Sequence, residues 1–163
     1  MMKETDMGDK NGEHPFGDTG QLISLVVFLI VWIVDSFFLR ISTALSEYVP
    51  LYIRLILLGL ALAAAVYFMR SGHVVVDHER RPGGVVETGA FRYVRHPLYL
   101  ASLLTYLGLS ISTASLLSLA VLVGIFLFHN YIASYEEALL ETKFGDDYRK
   151  YKMRTGKWIP KIG

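Results

Sequence analysis

Arg95, His96 and Tyr99, grouped around Pro97 and Leu98, put a guanidinium, an imidazole and a phenol into one short stretch, and Glu136-Glu137 puts two adjacent carboxylates further along. The second block continues as Phe144-Gly145-Asp146-Asp147-Tyr148-Arg149-Lys150-Tyr151. Arg95 offers a planar fork for a carboxylate, and His96 can donate a hydrogen bond or carry a proton. Tyr99 follows one helical turn later, where its ring can pack on a ligand while its hydroxyl reaches a polar group. A carboxylate of the Glu pair can hold an ammonium group through a charge-assisted hydrogen bond. Each block alone also has a plainer use. An Arg and a His before a helix anchor it to headgroups, and a Glu pair at a helix end is ordinary solvated surface. Together at a membrane surface, where desolvated charge is costly, they suit recognition of a charged cofactor.

What lies between the blocks decides whether they can meet. About 35 mostly apolar residues separate them, enough for two helices that cross a bilayer and return. The sequence predicts these spans at 97–111 and 114–134, with Pro97 at a favourable first helical position and a tight turn at Ser112-Thr113. On the fourth helix His129 shares a face with Glu136, Asn130 with Glu137, and Glu137 with Glu141. Two further apolar runs, 22–39 and 51–69, precede them. The chain has 163 residues, 53% of them hydrophobic, and a mean hydropathy of +0.40. The expectation is an all-α, polytopic membrane helical bundle of about four spans, forming one integral-membrane domain over 21–163 after a polar tail at 1–20. That tail lacks the basic-then-apolar layout of a signal peptide.

Charge orients the bundle. Arg70, Arg80, Arg81, Arg92 and Arg95 precede the third span, and Lys143, Arg149, Lys150, Lys152, Arg154, Lys157 and Lys161 follow the fourth. The other connections carry little beyond Arg40 and Arg54, so the positive-inside rule puts both basic regions and both termini in the cytoplasm. The net charge of +1 argues against nucleic acid as a partner. With no cysteine, disulfides, thiolate metal sites and a cysteine nucleophile are excluded. Asp35 and Arg54 read as a structural pair, or as a snorkelling Arg beside an interfacial Asp. The spacing of His73, Asp77, His78 and Glu79 matches no metal site, and no metal is expected. Tyr148, Tyr151 and Trp158 read first as an interfacial aromatic belt. Gly83-Gly84 is a turn without the Lys-Ser/Thr of a phosphate loop, and a Rossmann-type domain is excluded.

The run Gly89-Ala90-Phe91-Arg92-Tyr93-Val94-Arg95-His96-Pro97-Leu98-Tyr99, an apolar hairpin, then Glu136-Glu137 and the Phe144–Tyr151 block closely resembles the isoprenylcysteine carboxyl methyltransferase family. Its signature is Arg-His-Pro-x-Tyr, a spacer, and Glu-Glu, and it belongs with the membrane phospholipid methyltransferases. The resemblance covers residues 85–163, with Ala90 standing where the family often has Pro. It implies S-adenosylmethionine as cofactor, in a cytosol-facing pocket formed by the loop before span three and the carboxyl-terminal segment. Carried over by position, His96 and Tyr99 contact the cofactor, with the Pro97, Leu98 and Leu100 backbone around its adenine or ribose and Tyr148 from the terminal segment. Glu136 or Glu137 holds the amino group, and Arg92, Arg95 and the basic tail orient an anionic substrate.

The implied reaction is methyl transfer to a lipophilic or prenylated substrate entering from the bilayer, among membrane lipids, with carboxyl O-methylation of a prenylated cysteine foremost. Methylation of a phospholipid headgroup amine is an alternative. An NADPH-dependent membrane reductase and a non-catalytic membrane scaffold are readings of other classes. In-line transfer from a sulfonium needs alignment and exclusion of water rather than a covalent nucleophile, which agrees with the missing cysteine.

Overall fold

The computed structural model describes residues 17–78 and 84–161, the side chains at 17, 18 and 73–78 excepted. The tail at 1–16 and the group His73, Asp77, His78 and Glu79 therefore lie outside the described side chains, as do Arg80, Arg81 and Gly83. Among the described residues there are five α-helices: α1 (Gly17–Ile33), α2 (Leu51–His78), α3 (Pro97–Thr113), α4 (Leu116–Phe144) and α5 (Asp146–Arg154). A π-helical turn, Val34–Leu39, prolongs α1, and 3-10 turns occupy Ala44–Glu47 and Gly89–Arg92. Among the described residues there is no β-strand, and the protein is an all-α membrane bundle.

Three stretches, Thr19–Leu39, Leu51–Gly72 and Leu116–Phe144, are long and apolar enough to cross a membrane. The fourth expected span is shorter. At 17 residues α3 reaches about 25 Å, less than the roughly 30 Å hydrocarbon core. Its partners are longer than expected. The second span was expected to end at Met69, and its helix runs on to His78, with no proline before Pro82 to stop it. The fourth span was expected to end at Ser134 with its helix carrying on past Glu137 and Glu141, and α4 does continue, reaching Phe144, where Gly145 stops it with φ +55. That extension carries Glu136, Glu137 and Glu141 beyond the apolar stretch.

The core forms where α1, α3 and α4 meet. Phe28, Leu103, Tyr106 and Ile125 are buried together, with the Phe28 and Tyr106 rings stacked at 4.5 Å. The α2–α3 contact is close because Gly108 has no side chain: a Cβ there would lie 3.0 Å from that of Ala61.

The end of the bundle distant from the Glu pair is tied by hydrogen bonds. Asp35, fully buried, accepts from Ser42 N at 3.1 Å and Ser115 Oγ at 2.6 Å, and from the Ser42 hydroxyl. Trp32 Nε1 donates to Leu109 O at 3.0 Å, and Ser36 Oγ to Thr113 Oγ1 at 2.9 Å. Arg54 donates to Val49 O at 3.1 Å and Ser112 O at 2.7 Å. Asp35 and Arg54 are thus both structural, but each has its own partners and they do not form the expected pair. The α3–α4 turn falls at Ala114, one residue past the expected break. Ala114 N–H bonds Ile111 O and Ser115 N–H bonds Ser110 O, both at 3.1 Å, with Ala114 left-handed at φ 53. This is a Schellman closure. Ser115 then caps α4, its side chain accepting from Ser118 N at 3.1 Å.

Candidate functional site

The start of α3 and the extension of α4 lie side by side, and the two polar blocks meet there. Arg95 grips Glu137 with both edges of its fork, Nε to Oε1 at 2.9 Å and Nη2 to Oε2 at 3.3 Å. His96 Nε2 lies 3.2 Å from the same Oε1, and its Nδ1 is 3.7 Å from Glu136 Oε2. Tyr99, one turn along α3, donates its hydroxyl to Glu136 Oε1 at 2.7 Å. His96, Tyr99, Glu136 and Glu137 are all buried, so these are charge-assisted contacts in a poorly hydrated setting.

A third wall comes from the segment after α5. It runs beside the loop before α3 through a parallel bridge between Val94 and Gly156 and a 2.9 Å bond from Arg95 N–H to Gly156 O. The Arg95 side chain spans the gap as well, donating from Nη1 to Thr155 O at 2.5 Å and Lys152 O at 3.3 Å. Lys152 Nζ bonds Glu141 Oε2 at 3.0 Å and lies 3.8 Å from Glu137 Oε2. Gly156 is required for this path, since a Cβ would stand 1.8 Å from the Ile159 carbonyl oxygen. Beyond it Trp158 turns inward. Its indole N–H donates to Asn130 Oδ1 at 3.0 Å, and its ring lies 5.8 Å from that of His96 and 5.6 Å from that of Phe126.

The expected aromatic belt is therefore not at the interface. Tyr148 and Tyr151 are buried, and Tyr151 donates to Phe91 O at 2.7 Å. Burial, and after it the charge of Glu137, pushes the Tyr148 phenol above its ordinary value. Burial likewise raises Tyr151, so both remain neutral. Lys157 is lowered by burial and donates to Asn130 O at 3.1 Å and Ser134 Oγ at 2.7 Å.

Other expected residues are placed less centrally. Arg92 is exposed on its 3-10 turn, outside the cluster. Pro97 and Leu98 turn towards α2, where a Cβ on Gly72 would lie 2.8 Å from Leu98 Cδ2. Leu100 is half-buried, its N–H bonded to His96 O at 3.0 Å. Sequence reasoning missed the bracing by Lys152, Thr155 and Gly156 and the inward turn of Trp158. The available signal was Gly156 between Thr155 and Lys157, a turn residue directly before an aromatic.

His129 is deeper on the same face of α4. It is fully buried, and neither ring nitrogen has a hydrogen-bond partner among the described residues. An orphaned buried donor or acceptor costs about 1–3 kcal/mol, and such groups are rare in native proteins. Among the described residues no group of three or more His, Asp or Glu side chains is placed to hold a metal ion.

A family model for phospholipid methyltransferase matches residues 53–147. The chain is 37% identical over 92 residues to methanethiol S-methyltransferase 1 of Bradyrhizobium diazoefficiens, covering 54% of this chain and 32% of that protein. It is 30% identical over 91 residues to protein-S-isoprenylcysteine O-methyltransferase of Schizosaccharomyces pombe, covering 55% of this chain and 39% of the relative. An uncharacterized protein of Haemophilus influenzae is 35% identical over 63 residues, 38% of this chain and 100% of its own length. The chain thus spans 32% and 39% of the lengths of the two methyltransferases it resembles. The family match runs from α2 into α5 and takes in Arg95, His96, Tyr99, Glu136 and Glu137. On that match, over more than half of its length, the chain belongs to the phospholipid methyltransferase family.

Proposed function

We propose that the protein is an S-adenosylmethionine-dependent methyltransferase whose acceptor is a lipophilic molecule partitioned into the bilayer. The observation that carries this reading is the convergence of Arg95 with the buried His96, Tyr99, Glu136 and Glu137. The donor set suits the cofactor. Glu136 and Glu137 match an ammonium group, and the rings of His96, Tyr99 and Trp158 offer faces for a sulfonium and an adenine. When bound, the cofactor supplies an electrophilic methyl group on a positively charged sulfur.

The chain's own residues divide the remaining work. Glu137 is committed, both oxygens meeting Arg95 and one also meeting His96. It therefore serves as the keystone that joins α3, α4 and the terminal segment. Glu136 is the residue assigned to hold the ammonium group, oriented by the Tyr99 hydroxyl. Arg95 braces the wall through Thr155 and Lys152 rather than reaching towards a substrate anion. Trp158 and the terminal segment exclude water, which strengthens each electrostatic contact inside.

The relatives' names bring two acceptor chemistries, a thiol and an isoprenylcysteine, and the family's description adds the phospholipids. Transfer of isotope-labelled methyl from S-adenosylmethionine to membrane lipids, isoprenoids and a prenylcysteine mimic, read by mass spectrometry, tests the reading. A labelled lipophilic product supports it. Absence of label in every fraction, with saturable NADPH binding in its place, overturns it in favour of a reductase.

A further inference from the structure

Among the side chains that the cluster above does not use, His129 stands apart, its two ring nitrogens buried and unpartnered among the described residues. Its ring lies 5.1 Å from that of Tyr99, the residue that donates to Glu136. It thus continues the functional face of α4 inward from the Glu pair. It also sits between two apolar clusters, with Ile125 on one side and Ile132 and Ala133 on the other. The ring of its neighbour Phe128 is 6.0 Å away and 42% exposed.

We infer that His129 binds the headgroup of the lipophilic acceptor, and that this headgroup is a neutral protic group such as a thiol, an alcohol or an amine. The inference rests on the methyltransferase reading for the word acceptor, but the binding chemistry stands on the imidazole alone. A neutral imidazole presents one donor and one acceptor nitrogen, which a group carrying both a hydrogen and a lone pair satisfies. Among the described residues around the site, an anionic headgroup finds no free side-chain cation. The cations of the region are engaged, Arg95 with Glu137, Lys152 with Glu141, and Lys157 with Asn130 and Ser134. A carboxylate acceptor, the chemistry foremost among the expectations from sequence, carries no hydrogen and would leave the acceptor nitrogen of the imidazole unpaired.

The test is equilibrium binding to the full chain in lipid nanodiscs, read by tryptophan fluorescence, with dodecane-1-thiol, dodecan-1-ol, dodecanoate and dodecane as probes. The thiol and the alcohol bind about tenfold more tightly than dodecane or dodecanoate to the native protein. His129→Phe, which fills the volume with no polar atom, folds and reduces that preference to less than about twofold. His129→Gln, which keeps a donor and an acceptor, restores part of it. Equal binding of all four probes by the native protein overturns the inference, leaving His129 paired with no more than a buried water. The same preference in His129→Phe overturns it too. Loss of S-adenosylmethionine binding in His129→Phe moves the residue to the cofactor and also overturns the assignment. If S-adenosylmethionine binds to no form of the protein, the methyltransferase reading fails while the probe preference still judges His129.

Discussion

The adjacent carboxylates of Glu136 and Glu137 have different work to do. Removing Glu137 strands the Arg95 guanidinium, whose side chain is 10% exposed. Glu137→Ala is expected to lower stability by about 3 kcal/mol, because breaking a buried pair leaves an uncompensated charge. Thermal unfolding in nanodiscs checks this. Glu136→Gln keeps an acceptor for the Tyr99 hydroxyl and is expected to unfold at nearly the native temperature, the loss appearing in ligand binding. Arg95→Lys is not a conservative change, because one ammonium cannot reach Glu137, Lys152 O and Thr155 O together. It is expected to loosen the terminal segment, seen as faster proteolysis after Arg154. The sequence made the members of this cluster legible, since Arg-His-Pro-x-Tyr and Glu-Glu stand as local strings. It did not make their division legible, because that depends on distances between helices.

Elements were legible where hydrophobic runs are long and obscure where a boundary depends on a partner. The apolar runs at 22–39 and 51–69 correspond to membrane-length helices, and α2 and α4 extend beyond the spans expected at 51–69 and 114–134. A membrane span ends where the apolar run ends, whereas the helix continues through charged residues such as Arg70, Glu136 and Glu137, which are good helix formers. The α3–α4 turn could not be located to the residue, since Ala114 takes a left-handed conformation more usual for Gly. Ala114→Gly is therefore expected to stabilise the protein by up to about 1 kcal/mol, read as a higher unfolding temperature. At the opposite end of the bundle, Gly156→Ala forces a Cβ onto the Ile159 carbonyl. It is expected to displace Trp158 and change tryptophan fluorescence while the helix content seen by circular dichroism is retained. Ser115→Ala removes the α4 cap and one Asp35 bond. An expected cost of about 1–2 kcal/mol, with unchanged ligand binding, would separate the tied end of the bundle from the functional end.

At the scale of the molecule, two helical hairpins return the chain to one end, and the polar cluster is built there on helix extensions beyond the apolar stretches. The orientation expected from Arg and Lys counts is directly testable, because the chain has no cysteine. Glu47→Cys, in the α1–α2 connection, and Lys150→Cys, on α5, are expected to react with a membrane-impermeant thiol reagent from opposite faces, Lys150→Cys from the cytoplasmic one. Labelling of both from one face would contradict the topology. The central claim is that the converged blocks form a cofactor site, and equilibrium binding of S-adenosylmethionine to the purified protein and to Glu136→Gln tests it most directly. The account predicts saturable binding to the native protein and at least about tenfold weaker binding to Glu136→Gln at an unchanged unfolding temperature. No binding to the native protein, or equal binding to both, would contradict it.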